Sequence, residues 1–73
     1  MKELMPLRSL SELMYKTVRI TCADGRVIEG EADGFCDEFE LDEQQELITL
    51  RTSDGRTDGA FFNEIVSVLL IAP

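Results

Sequence analysis

The most reactive-looking feature of this 73-residue chain is a local concentration of carboxylate side chains. The segment Gly30–Glu46 contains eight acidic side chains and no basic one. Such groups can bind a divalent cation or form an acid–base pair. Their order differs from that of a calcium loop, which alternates its acids, turns at a glycine and ends on a glutamate. We therefore expect a solvated, self-repelling loop. Its acidic surface comprises Asp37, Glu38, Glu40, Asp42 and Glu43.

Other reactive side chains are scarce. The chain has no histidine and two cysteines, Cys22 and Cys36, which cannot complete an ordinary four-ligand zinc site. Both lie beside apolar positions, which is typical of small buried side chains; a mutual disulfide or a reactive thiol is the alternative. A domain this small offers little concave pocket for desolvating a carboxylate pair. We expect no enzymatic activity, no cofactor and no specific metal site, and keep a divalent-metal-responsive acidic loop as an alternative function.

The charge balance limits the partners. The net charge is −8, from 15 acids and 7 bases, which disfavours nucleic acid and anionic membranes because both attract positive charge. No apolar run approaches the ~20 residues that span a bilayer, and the first six residues lack the pattern of a signal peptide. We expect one cytoplasmic domain over residues 1–73, without membrane association.

The N-terminal part of the chain predicts one short helix. The first six residues have no clear pattern and are expected to be frayed. Ser9 followed by Glu12 fits a capping box, and Leu10, Leu13 and Met14 then share one helical face. We predict a helix over about 9–16, too short to be stable without packing on the rest of the domain.

Alternating apolar and polar residues then predict a series of strands. The first hairpin is best explained by a three-residue loop, Ala23–Gly25, because this register sets Ile20 opposite Ile28, whereas a two-residue turn would set it opposite Glu29. Gly30, inside the second strand, indicates a sharp bend. The predicted strands cover about 17–22, 26–33, 46–52, 57–62 and 66–71, with an acidic loop over about 34–45.

The third strand has two candidate positions. One uses Phe39–Leu41, and the other uses Leu47–Leu50 and makes 35–46 a longer loop; we favour the second. Five short, strongly bent antiparallel strands tend to close into a barrel, which removes most exposed edges. The predicted fold class is therefore mostly β, with a short N-terminal helix followed by a five-stranded SH3-like barrel.

Two segments carry a resemblance to a known family. Lys16–Thr21 with Asp24–Gly30 resembles the first motif of the Sm-like (LSm) family, within the small SH3-like barrels: a strand, an Asp-Gly-Arg turn and a strand with a bending glycine. Glu64–Val68 resembles the end of its second motif. The resemblance extends from Leu10 to Ile71 and implies the Sm-like fold.

The RNA-reading residues of that family are not matched. Family members that bind RNA use an Asp-x-apolar-Asn segment and a later Arg-Gly or Lys-His pair. Here the nearest matches are Asp37–Glu40, with Glu40 at the asparagine position, and Phe61–Phe62 in place of the basic pair. A carboxylate there repels phosphate and lacks the amide's donor. RNA binding remains an alternative only through another surface, around Lys16, Arg19, Arg26 and Arg56.

The apolar end of the chain points to a protein interface. Adjacent strand residues face opposite sides, so one of Phe61 and Phe62 must leave the core side and either meet the helix, meet a partner or remain exposed. Within the long apolar run Val66–Ile71, Leu69 and Leu70 are consecutive, which suits contacts on both faces. The resemblance implies subunit association by pairing of the fourth and fifth strands. We expect a homo-oligomer of undetermined number, with a basic protein as a further partner. The predicted interface residues are Phe61, Phe62, Val66, Val68, Leu69 and Leu70.

Overall fold

A computed structural model describes residues 1–38 and 44–73 of the chain. The strands are β1 (Lys2–Glu3), β2 (Thr17–Cys22), β3 (Val27–Cys36), β4 (Leu47–Arg51), β5 (Thr57–Phe61) and β6 (Ile65–Ala72), with 3₁₀ helices at Leu10–Leu13 and Phe62–Glu64. The prediction of a mostly β chain is confirmed.

The strands form one antiparallel sheet in the order β1-β6-β2-β3-β4-β5. The predicted closed barrel of five strands is wrong, because the described strands form an open sheet of six. The additional strand, β1, comes from the segment that was expected to be frayed, and its residues pair with Leu69 and Leu70. Two residues carry no periodicity, so the sequence pattern could not reveal this strand.

The predicted N-terminal helix is also wrong in type and length. The structure has a four-residue 3₁₀ helix instead of a helix over about 9–16. Its capping box is confirmed: the Ser9 hydroxyl accepts from the Ser11 N–H, and the Glu12 carboxylate accepts from the Ser9 N–H at 3.1 Å. The helix ends at Met14, whose ψ of 132° is no longer helical, and Tyr15 follows with a left-handed φ of 70°, which cannot continue a right-handed helix.

The first hairpin has the predicted register. Ile20 lies opposite Ile28 and Val18 opposite Gly30, and Gly25 occupies the left-handed position with a φ of 92°. The third strand is β4, as favoured, whereas Phe39–Leu41 lies outside the described residues. β3 extends to Cys36, so residues 34–36, assigned to the acidic loop, belong to a strand.

β3 pairs with β2 on one side and with β4 on the other, and its pairing with β4 contains an irregularity. Glu31 pairs with Thr17 of β2 and with Arg51 of β4, and the register shifts between Ala32 and Gly34. One core packs against the sheet, and the first 3₁₀ helix contributes Leu10 and Leu13 to it. The buried apolar side chains of that core are Leu10, Leu13, Val18, Ile20, Cys22, Ile28, Ala32, Ile48, Leu50, Ala60, Ile65 and Val68.

Candidate interaction surface

The predicted interface residues of β6 divide between the core and the surface. Val68 is fully buried, so its side chain cannot contact a partner, whereas Val66 is 57% exposed. Leu69 and Leu70 are half-buried, and Leu70 packs against the core. Strand alternation alone would place Val66 and Val68 on the same face. The difference arises where the register shifts, since Ser67 pairs with Thr21 but Ile65 with Cys22.

Phe61 and Phe62 lie in different elements, because β5 ends at Phe61. Phe62, the first residue of the second 3₁₀ helix, packs against the core. Phe61 ends β5 and pairs with Leu47, which in turn pairs with Cys36. These three side chains are half-buried and form one row across three strands. The two phenylalanines therefore do not form a common contact surface.

The outer edge of β6 is covered by the N-terminal segment. Beyond the two residues of β1, the Leu4 N–H donates to the Val68 carbonyl at 2.8 Å. The Val68 N–H donates to the Glu3 carboxylate, also at 2.8 Å. A side-chain oxygen thus occupies the place that a carbonyl of a neighbouring strand would take. The Val68 side chain is thus buried in the core, whereas its backbone N–H and carbonyl face the edge of the sheet.

Glu3 receives three hydrogen bonds at this edge. Besides the Val68 N–H, the Met5 N–H donates to its carboxylate at 3.1 Å, and so does the Ser67 hydroxyl. Sequence reasoning missed this residue, because nothing in the sequence indicates contacts with residues more than sixty positions away. The Ser67 hydroxyl, followed by the backbone donors, lowers the pKa of Glu3 below its ordinary value.

Glu3 should make stability depend on acidity in a recognisable way. Because its pKa is lower in the folded chain, its contribution is fully present above the unfolded-state pKa and is lost as the pH falls through the folded-state value. We expect Glu3→Gln to be less stable than the wild type at neutral pH, with the difference shrinking as the pH falls below the ordinary glutamate pKa of about 4.3. Urea unfolding at a series of pH values measures this. Exposed Glu31→Gln removes the same charge away from the β6 edge and is the matched control. A difference for Glu3→Gln that stays constant with pH would contradict the assignment.

The other edge of the sheet, at β5, also has its donors occupied. The Gly59 N–H donates to the Asp58 carboxylate at 2.8 Å, and the Phe61 N–H donates to Glu64 at 3.0 Å. Arg26 lies 3.6 Å from both of these carboxylates and joins the first hairpin to this edge. Acidic side chains that satisfy edge donors are one means of preventing uncontrolled strand pairing.

The acidic surface is only partly described. Glu38 is exposed and Asp37 half-buried, while Glu40, Asp42 and Glu43 lie outside the described residues. Within residues 1–38 and 44–73, no group of three or more potential ligands is positioned to hold a metal ion.

Glu46, the last acid of the segment, has a structural role. Its carboxylate accepts from the Leu10 N–H at 2.6 Å and from the Ser9 hydroxyl at 2.9 Å. Its backbone carbonyl accepts from the Phe62 N–H at 2.9 Å. Carboxylates satisfy the orphan donors at the start of a helix. Glu46 therefore fixes the first 3₁₀ helix onto the sheet.

The basic residues considered for RNA binding already have partners. Arg19 pairs with Glu29 at 2.7 Å, Arg26 is shared as described above, and the Lys16 ammonium donates to a backbone carbonyl. Arg56 pairs with Asp54 at 2.9 Å.

Cys22 and Cys36 are free thiols, the first buried as expected and the second half-buried.

Comparisons with known proteins give no match: no family model, curated protein or solved structure matches the chain. The Sm-like resemblance thus remains a prediction. None of the described helices has the length and apolar character needed to cross a membrane.

Proposed function

We propose that this chain is a non-enzymatic, Sm-like interaction module of the cytoplasm that associates with copies of itself through β6. The observation that carries the proposal is the composition of this strand. Ile65–Ala72 contains no charged residue in a chain with 15 acids and 7 bases. The net negative charge makes two copies repel each other over most of their surface, and β6 offers a neutral surface on which they can make contact.

The exposure of β6 supports this surface. Val66 is 57% and Ile71 38% exposed, and Leu69 between them is half-buried. An apolar strand at or near a sheet edge is a usual site of strand-mediated association. Small domains also gain stability by association, because they bury a limited share of their own surface.

The alternatives have weaker support. A basic protein could contact the acidic surface that includes Glu38, and this remains a second partner class. RNA binding would require basic side chains that are held in ion pairs or hydrogen bonds. Tight, salt-sensitive binding of RNA would contradict the proposed self-associating module, since such sensitivity marks phosphate contacts. A metal-responsive function would require a shift in melting temperature on adding calcium or magnesium.

A charge placed on β6 should prevent self-association. We expect Val66→Glu to weaken dimer formation by at least about tenfold, because each copy would bring a carboxylate into an apolar contact. Sedimentation velocity across the micromolar range measures this. Val27→Glu is the control, since Val27 is 53% exposed and begins β3. Equal weakening by both variants would show that net charge, and not β6, is responsible.

A further inference from the structure

We propose that association is a closed two-fold dimer in which β6 of one copy pairs antiparallel with β6 of the second, and that Met1–Glu3 gates this pairing by covering the edge. The inference rests on the proposed function, and it specifies the geometry and the regulation of the same surface. The partner is a second copy of this chain.

The cover over the β6 edge is slight. Only two residues pair as β1, both are exposed, and Met1 is 71% exposed. Releasing them therefore uncovers little apolar surface. The main attachment is the Glu3 carboxylate, which regains its hydration in water when it leaves. The Val68 N–H, now bonded to Glu3, would then be free for an incoming strand, and the edge at Leu69 and Leu70 would be uncovered.

The residues after β1 provide a fixed base for this movement. Leu4, Met5 and Leu7 pack against the core, so displacement of Met1–Glu3 need not unfold the segment that follows. A cleft of 500 Å³ lies between the N-terminal segment and the region of the first 3₁₀ helix.

The β5 edge is a poorer partner for β6. Its Gly59 and Phe61 donors are already bonded to Asp58 and Glu64, and Arg26 lies beside both carboxylates. Pairing at β5 would break these contacts and also displace Arg26, which joins the edge to the first hairpin, whereas pairing at β6 requires release of the two-residue β1 and of the Glu3 hydrogen bonds. Contact between identical edges is isologous and stops at two copies, unlike a head-to-tail contact, which continues into a ring or fibre.

Removing the gate should strengthen dimerisation. In the wild type both copies must open before they pair, which lowers the apparent affinity. We expect Glu3→Ala to decrease the dimer dissociation constant at least about tenfold, because the mutation removes charge-assisted hydrogen bonds that hold the closed state. Glu3→Gln, which keeps an acceptor oxygen, should give a smaller decrease. Exposed Glu31→Ala removes the same charge and controls for reduced repulsion.

Sedimentation equilibrium of the four proteins, with circular dichroism to confirm folding, separates the outcomes. A dimer limit and the order Glu3→Ala, Glu3→Gln, then Glu31→Ala in dimer affinity support the gate. If association occurs but Glu3→Ala matches Glu31→Ala, or if species larger than dimers form, the gated two-fold pairing is overturned while the proposed function stands. If no folded variant associates, both are overturned.

Discussion

Gly30→Ala is expected to destabilise the domain strongly. A β-carbon at this position would overlap the carbonyl oxygen of Arg51 and lie 2.7 Å from its carbonyl carbon. Both atoms belong to the backbone of β4, which cannot move without breaking its pairing with β3. We expect a loss of more than about 3 kcal/mol in the free energy of unfolding. A domain of this size has roughly 5 kcal/mol in total.

A second glycine in the same strand supplies the matched control. A β-carbon at Gly34 would collide with the Thr49 hydroxyl, which is on a side chain that can rotate away. Gly34→Ala should therefore cost only about 1 kcal/mol. Urea unfolding followed by circular dichroism measures both variants. Equal losses would show that the close approach of the β4 backbone does not require a glycine at position 30.

Leu10→Ala is expected to have the next largest effect, with a loss of about 2–5 kcal/mol in the free energy of unfolding. Leu10 has no exposed surface, although it belongs to a helix of only four residues. The side chain fills the space between the first 3₁₀ helix and the sheet, so its truncation leaves a cavity.

Half-buried Met14 ends the same helix and serves as the control for Leu10. Met14→Ala should cost clearly less, and thermal or urea unfolding can compare the two variants. If Leu10→Ala cost no more than Met14→Ala, the helix would be an accessory and not part of the core.

Local residue patterns predicted the parts of the fold that depend on neighbours in sequence. Ile20 and Ile28 share a face because opposed strand residues must, and this fixed the hairpin register. Ser9 and Glu12 form their capping box within one turn. The helix length was overestimated because the same apolar spacing suits one turn or two, and the left-handed Tyr15 is not apparent from its residue type.

Contacts between distant segments account for the remaining differences. Glu3 reaches Val68, and Glu46 reaches Leu10. From the sequence alone, Glu46 was grouped with the acidic segment and Glu3 was not considered. Each replaces a backbone acceptor at an edge or a helix start, a role that many carboxylates in this acidic chain could fill. Likewise, the apolar run of β6 indicated an interface, but not that the N-terminal segment covers its edge.

Sedimentation of the wild-type chain and, in parallel, of Glu3→Ala tests the central claim, self-association through β6, most directly. We predict a reversible, concentration-dependent equilibrium between monomer and dimer, which Val66→Glu weakens and Glu3→Ala strengthens. A chain that remains monomeric across the micromolar range, with Glu3→Ala folded and equally monomeric, would contradict it.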